Sequence, residues 1–377
     1  MSEDVLIEQR PKPGRPPFRA DHVGSLLRPE SLMRARQDVK QGRLSRSDLH
    51  ERENDAIREV IARQESIGLE AVTDGEFRRT WWHLDFLSQF YGVALQPNPG
   101  PKFGETESQP PIAAVAERIR YTRPIMVADF EFLKHATRRT AKFTIPSPSM
   151  LHLRGGRRAI SREAYPDLEQ FWGDVAAAYS AAIAALAAAG CTYLQIDDVS
   201  FAYLGDAKFR DSCRRNGDDP AELPRRYVRT LNEALRNRPA GLAVTLHTCH
   251  GNFQSSWATE GDYESVAESM FQSDIDGFFM EFDTTRSGSF APLRFLPRAK
   301  KVVLGLVTTK LGQIESEAEL LRRIDAACKI VPLENLCLSP QCGFSSHETG
   351  NKLSQDEQWR KLELVVKVAH KVWGTVV

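Results

Sequence analysis

The sequence predicts an α/β fold, a single-domain (β/α)8 barrel of the TIM type. Three observations carry that expectation. Eight short β-branched runs recur along the chain, helical patterns fill the intervals between them, and the first strand-to-helix turn lacks the G-x-G-x-x-G that a doubly wound dinucleotide fold would place there.

The runs, in order, are FRADHVGSL near 18–26, LEAVTDGEF near 69–77, AKFTIPSPS near 141–149, CTYLQIDDVS near 191–200, GLAVTLHTC near 241–249, DGFFMEFDT near 276–284, KVVLGLVTTK near 301–310 and NLCLSPQCG near 335–343. Each pairs an apolar stretch with a polar exit, as a parallel strand buried on both faces requires. The helical patterns cover 45–67, opening on Ser45, an Ala-rich stretch ending on Gly190, and segments near 221–237, 260–272, 315–330 and 354–373. Ser and Asp starts and a Gly stop are ordinary helix-boundary chemistry.

Residues 1–17 read as a tail and 18–377 as the barrel, interrupted by an insertion at about 77–140. QPNPGPKFGETESQPP supplies loop chemistry there, and IRYTRPIMVADF reads as a strand. A connection this long needs structure or a task. A hairpin with a helix is expected, capping the barrel mouth or meeting a second copy in a homo-oligomer.

Lys plus Arg equals Asp plus Glu at 50 each, which gives no basic surface for nucleic acid and favours small-molecule chemistry. The N-terminus MSEDVLIEQRPKPGRPPF has no apolar signal core, and no run is expected to reach the roughly 20 apolar residues of a membrane span, so a cytoplasmic setting with reduced thiols is expected. Of the six cysteines, Cys191, Cys328 and Cys337 read as small core residues and Cys213 as a surface-loop residue.

Catalytic groups in this fold sit at the C-terminal ends of the strands. Those ends carry His22 and Ser25, Asp74 and Glu76, Ser147 and Ser149, Asp197 and Asp198, His247 and Cys249, Glu281 and Asp283, Lys310, and Cys342. Exposed loops are polar in any protein, but that does not account for Cys, His and Glu on neighbouring ends. His247 and Cys249 lie two apart and leave an extended strand on one face. Glu281 ends the next strand and Cys342 the eighth, which adjoins the first in a closed barrel. A His, a Glu and two Cys suit Zn2+ with one position open. His250 is an alternative to His247, or a group that supports the site or the substrate.

DHVGSLLRP, VTDGEFRR, LQIDDVSFAYL, LHTCHGN, FFMEFDTTRSG, LGLVTTK and LSPQCGF together resemble the catalytic domain of cobalamin-independent methionine synthase and its single-domain relatives, over residues 18–373. The resemblance implies a zinc-dependent thiol alkyltransferase with His247, Cys249, Glu281 and Cys342 as ligands. It further implies Gly24 and Ser25 at a homocysteine carboxylate and Glu76 and Asp197 at its ammonium, with Asp74 or Asp198 able to take either acidic role. A thiol that binds zinc loses its proton, which is the activation such a reaction needs.

The chain departs from the long enzymes on the electrophile side. It lacks their duplicated N-terminal half, PSPSML replaces a block containing Trp, and Lys310 stands in GLVTTK where they carry a proton-donating His. The leading expectation is therefore an epoxyalkane:coenzyme M transferase. Lys310 would be the catalytic acid beside Asp197, with Arg28, Arg78, Arg79 or Arg286 meeting the sulfonate or alkoxide. The alternative is a stand-alone homocysteine methyltransferase, for which Glu76 and Asp197 speak. A metal-free decarboxylase of the uroporphyrinogen type, a non-catalytic zinc binder and a metal hydrolase are further readings, the last weakened by the absence of H-E-x-x-H.

Overall fold

The computed structural model describes residues 14–98 and 111–377. Most of the expected tail, and the Pro/Gly-rich middle of the insertion, lie outside these residues. Helices α1 (Glu30–Lys40) and α2 (Arg46–Ser66) precede strand β1 (Ala71–Val72). After the short helix α3 (Leu84–Leu87) come β2 (Tyr91–Gln96), β3 (Ile112–Arg120), α4 (Val127–Ala136) and β4 (Thr140–Pro146). The chain continues through α5 (Met150–Leu153), α6 (Leu168–Ala188), β5 (Tyr193–Asp198), α7 (Ser200–Gly205), α8 (Ala207–Arg215), α9 (Leu223–Leu235), β6 (Ala243–Thr248) and α10 (Glu264–Met270). It ends with β7 (Gly277–Glu281), β8 (Lys301–Val307), α11 (Glu317–Cys328), β9 (Leu336–Pro340) and α12 (Gln355–Trp373).

Seven strands form one parallel sheet in the order β1-β4-β5-β6-β7-β8-β9, a curled, barrel-like wall. Strands β5, β6, β7 and β9 are buried at every residue, which explains why they read as β-branched runs rather than as alternating ones. The boundary chemistry also falls where the sequence puts it. Ser45 caps α2 through Asp48 N–H, Ser354 and Glu357 form a capping box on α12, and α6 stops before Gly190 at φ 95°.

The expected first strand is a correction. Residues 18–26 are not a ladder strand but make one isolated parallel bridge, Ala20 to Leu338 of β9. Groups outside the sheet take hydrogen bonds a longer ladder would use: Ala20 N–H donates to Val376 O near the C-terminus at 3.2 Å, and His22 N–H to the neighbouring Asp21 Oδ1 at 2.8 Å. On the β1 side the links are side chains and a turn. His22 Nε2 lies 3.2 Å from Ala71 O, Thr73 Oγ1 donates to Gly24 O at 2.7 Å, and Leu26 N–H to Gly75 O at 3.0 Å.

The insertion contains the expected hairpin and helix, β2 paired antiparallel with β3, then α4. β3 packs along α6, where Tyr165 Oη accepts from Ile119 N–H at 2.6 Å and Arg118 pairs with Asp174 at 2.9 Å. The helix α6 is also long and apolar enough to cross a membrane, contrary to the expectation that no run would be. In this fold Phe171, Trp172, Val175, Tyr179 and Ile183 bury one face of it against the protein. Cys213 is a second correction: it lies in α8 and is buried.

Candidate metal centre and substrate cavity

Strand β6 delivers His247 one residue before its end and Cys249 one residue after, and the turn after β9 delivers Cys342. One ligand atom from each of the three lies within 4.8 Å of the others, and all three are buried. The two Sγ atoms are 3.7 Å apart, unbridged. His247 Nδ1 faces Asp197 Oδ1 at 3.2 Å, and Gln195 Nε2 donates to that same oxygen at 2.6 Å. A carboxylate behind a histidine fixes its ring and raises its basicity as a ligand.

The donor chemistry fits a divalent cation such as zinc. Burial works against a charged His247, yet the hydrogen bonds to Asp197 and Cys342 overcome it and take the imidazole up to about 10. The two thiols share one proton: Cys342 is driven well below the usual thiol range by its hydrogen bond from Cys249, and Cys249 is driven well above it. Two sulfurs and a nitrogen converging on one point are soft donors, and the Asp197 carboxylate behind His247 adds negative charge to the set.

Glu281 is not brought into this trio. Its Oε2 accepts from His250 N–H at 2.7 Å, and its Oε1 accepts from Arg286, which also reaches Asp283 at 2.9 Å. Burial pushes this carboxyl up, but His250, Lys310 and Arg286 hold it well below the ordinary range. Arg286, expected at substrate, is therefore engaged by two acids and stacks 4.7 Å over Trp257. Lys310, expected as the catalytic acid, turns its Nζ to Gly251 O and Asn252 Oδ1 at 3.1 and 3.2 Å and is not among the cavity-lining residues.

The trio opens into a cavity of about 640 Å³, counting its mouth. Ser25, Glu76, Asp197 and Asp198 line it; Gly24 stands just behind, where a Cβ would lie 2.8 Å from Thr144 Cγ2 and 3.5 Å from Glu76 Oε1. Glu76 holds the left-handed backbone (φ 60°), with its N–H capped by Asp74 Oδ1 at 2.9 Å. Its Oε1 accepts from Thr144 at 2.8 Å, while Oε2 has no hydrogen-bond partner, the nearest cation being Arg79 Nη1 at 3.6 Å. Burial takes this carboxyl up to about 7. Asp198 is committed elsewhere, accepting from Ser149 and from the first turn of α7.

Arg28 and Arg79 are spent on backbone carbonyls, and Arg78 on Asn54 and Asp129. The cavity's other wall was not foreseen: Trp81, Trp82, His83, Arg154, Tyr203 and Phe253. The one signal in the sequence is the aromatic cluster WWH, which begins five residues after the β1 exit carboxylate Glu76.

The catalytic domain of cobalamin-independent synthase matches residues 18–371. The chain belongs to this family. It is 43% identical over 374 residues to the uncharacterised YxjH of Bacillus subtilis, covering 98% of each chain. It is 24% identical over 353 residues to a methionine synthase of Pyrococcus horikoshii, covering 93% of this chain and 91% of that one. A solved structure from Listeria monocytogenes, provisionally named a vitamin-B12 independent methionine synthase, superposes with a TM-score of 0.78 at 39% identity, over 96% of this chain and 100% of that one. The chain thus carries a methionine-synthase-like catalytic domain, in a family that uses zinc.

Proposed function

We propose that this protein is a zinc-dependent thiol S-alkyltransferase that methylates homocysteine. The observation that carries the reading is the His247, Cys249 and Cys342 trio on the floor of a cavity that also holds an unsatisfied, buried carboxylate oxygen at Glu76. The order of expectations is reversed: relatives are named for methionine synthesis, and none of the cations expected to meet a sulfonate or an alkoxide lines the cavity.

In this reading His247, Cys249 and Cys342 hold the ion, which when bound supplies a site where a thiol gives up its proton at neutral pH. Asp197 holds the His247 ring. Glu76 and Asp197 take the substrate ammonium, a cation that satisfies the free Glu76 oxygen, and Ser25 with the backbone at Gly24 meets the carboxylate. The thiol sulfur forms a bond to the methyl carbon as the carbon's bond to the donor atom breaks, and the donor atom takes up a proton. Glu281 is proposed as a fourth ligand only if Arg286 yields it.

The test is product formation by the zinc-loaded protein with homocysteine and methyl-folate, beside coenzyme M and epoxypropane, with Cys342→Ala as control. Methionine that disappears with Cys342→Ala is expected. A thioether from coenzyme M alone would restore the epoxide reading.

A further inference from the structure

The cavity lining divides by charge. Glu76, Asp197 and Asp198 are its acids, and its lining also holds a cation, Arg154, at the end of α5. Arg154 has no carboxylate partner among the described residues, and its Nε is buried with no hydrogen-bond acceptor. Arg154 is half-buried, and the buried part of its guanidinium leaves a donor that an anion entering the cavity could meet. Here every other arginine near the site is answered by the protein itself.

Two further polar groups of the lining, His83 and Tyr203, lie in the field of Arg154. His83 is 1% exposed with both ring nitrogens unpartnered, and Tyr203 is 4% exposed with its hydroxyl facing Arg154. Burial and the neighbouring Arg154 hold His83 neutral, so one ring nitrogen is a donor. Burial pushes the Tyr203 phenol up to about 12, so it too keeps its proton. The three offer a guanidinium fork, an imidazole N–H and a phenol O–H. Beside them lies a flat apolar face: Trp82 against His83 at 4.6 Å, and Trp81 stacked on Phe253 at 5.4 Å.

We propose that Arg154, His83 and Tyr203 form an oxyanion subsite for the second substrate, the alkyl donor, which presents a carboxylate, phosphate or sulfonate group next to a planar apolar body. The proposal rests on the thiol-alkylation reading only for the word donor; the subsite itself is a matter of binding. It uses residues other than those of the ammonium subsite at Glu76, and a donor held by its anionic group in the same cavity would be oriented toward the thiol.

Calorimetric titration of the full-length protein at constant ionic strength tests it, with benzoate, acetate, inorganic phosphate, methanesulfonate and, separately, homocysteine as probes. Saturable binding of at least one anion is expected, benzoate ahead of acetate if the aromatic wall contributes. Arg154→Gln should weaken that anion about tenfold or more, as loss of a charge-assisted pair does, and His83→Phe by a smaller factor, while homocysteine changes by less than about twofold. Arg154→Lys should recover part of the affinity, which separates charge from folding. The proposal is overturned if no anion binds the wild type, if Arg154→Gln binds anions equally well, or if it weakens homocysteine as much as the anion. If homocysteine fails to bind while the anion response to Arg154→Gln holds, the thiol assignment falls and the subsite stands.

Discussion

Glu76 combines three costs at one residue: a left-handed backbone, nearly complete burial, and a carboxylate oxygen without a partner. Such groupings persist where binding uses them. The cost has a pH signature. A carboxyl whose folded pKa lies near 7, above its unfolded value of about 4.3, contributes full stability below the unfolded value and loses it as pH rises through 7. Glu76→Gln keeps the acceptor for Thr144 and removes the ionisation. The metal-free variant is expected to unfold at higher denaturant than the wild type at pH 8, by roughly 2 kcal/mol, with the difference closing toward pH 5. Its affinity for homocysteine should fall in the same experiment series. A variant no more stable than wild type at pH 8 would show that the carboxylate is satisfied in solution.

At the scale of elements, the site depends on how closely two loops meet. Gly343 follows Cys342, and a Cβ placed there would lie 1.9 Å from Ser25 Oγ and 3.1 Å from Ser25 Cβ. That loop is also pinned by Phe344 N–H to Ser25 O at 2.9 Å, so it cannot withdraw without moving Cys342. Gly343→Ala should leave the fold intact yet lower the zinc bound per chain, read by elemental analysis, and Ser25→Gly on the same chain should recover it. Unchanged zinc in Gly343→Ala would mean that the loop yields freely. The same elements show what was legible beforehand. Fully buried parallel strands leave a plain signature, and His247 and Cys249 share a face because an extended chain repeats every two residues. What Glu281 contacts depends on Arg286 folding back from a turn that has no periodicity. His83, Arg154 and Tyr203 likewise sit on short helices and turns whose direction is set by packing, so nothing in their spacing placed them on one wall.

For the whole molecule, the question is what holds residues 18–26 in the gap between β9 and β1 when only one bridge does so by backbone pairing. A buried ion pair inside the curled sheet supplies the answer. Lys142 of β4 reaches Asp21 Oδ1 at 2.9 Å and His22 O at 2.5 Å, Tyr193 of β5 donates to Asp21 Oδ2 at 2.8 Å, and both charged side chains are 0% exposed. Lys142 also sits 4.0 Å from the Phe279 ring centroid of β7, so one ammonium ties the N-terminal segment to three strands. Removing one partner of such a pair strands the other charge, at a cost of about 3–5 kcal/mol. Asp21→Asn is expected near the lower end, because His22 O and the rings still face Lys142. Burial already lowers the Lys142 pKa, and losing Asp21 lowers it further; a base depressed in this way regains stability as pH rises and the proton leaves. The deficit of Asp21→Asn in urea unfolding should therefore be largest at neutral pH and narrow by pH 10, and Asp21→Asn with Lys142→Met should recover part of it at neutral pH. A deficit that does not change with pH, or that the second substitution deepens, would place the closure of the sheet in packing rather than in this pair.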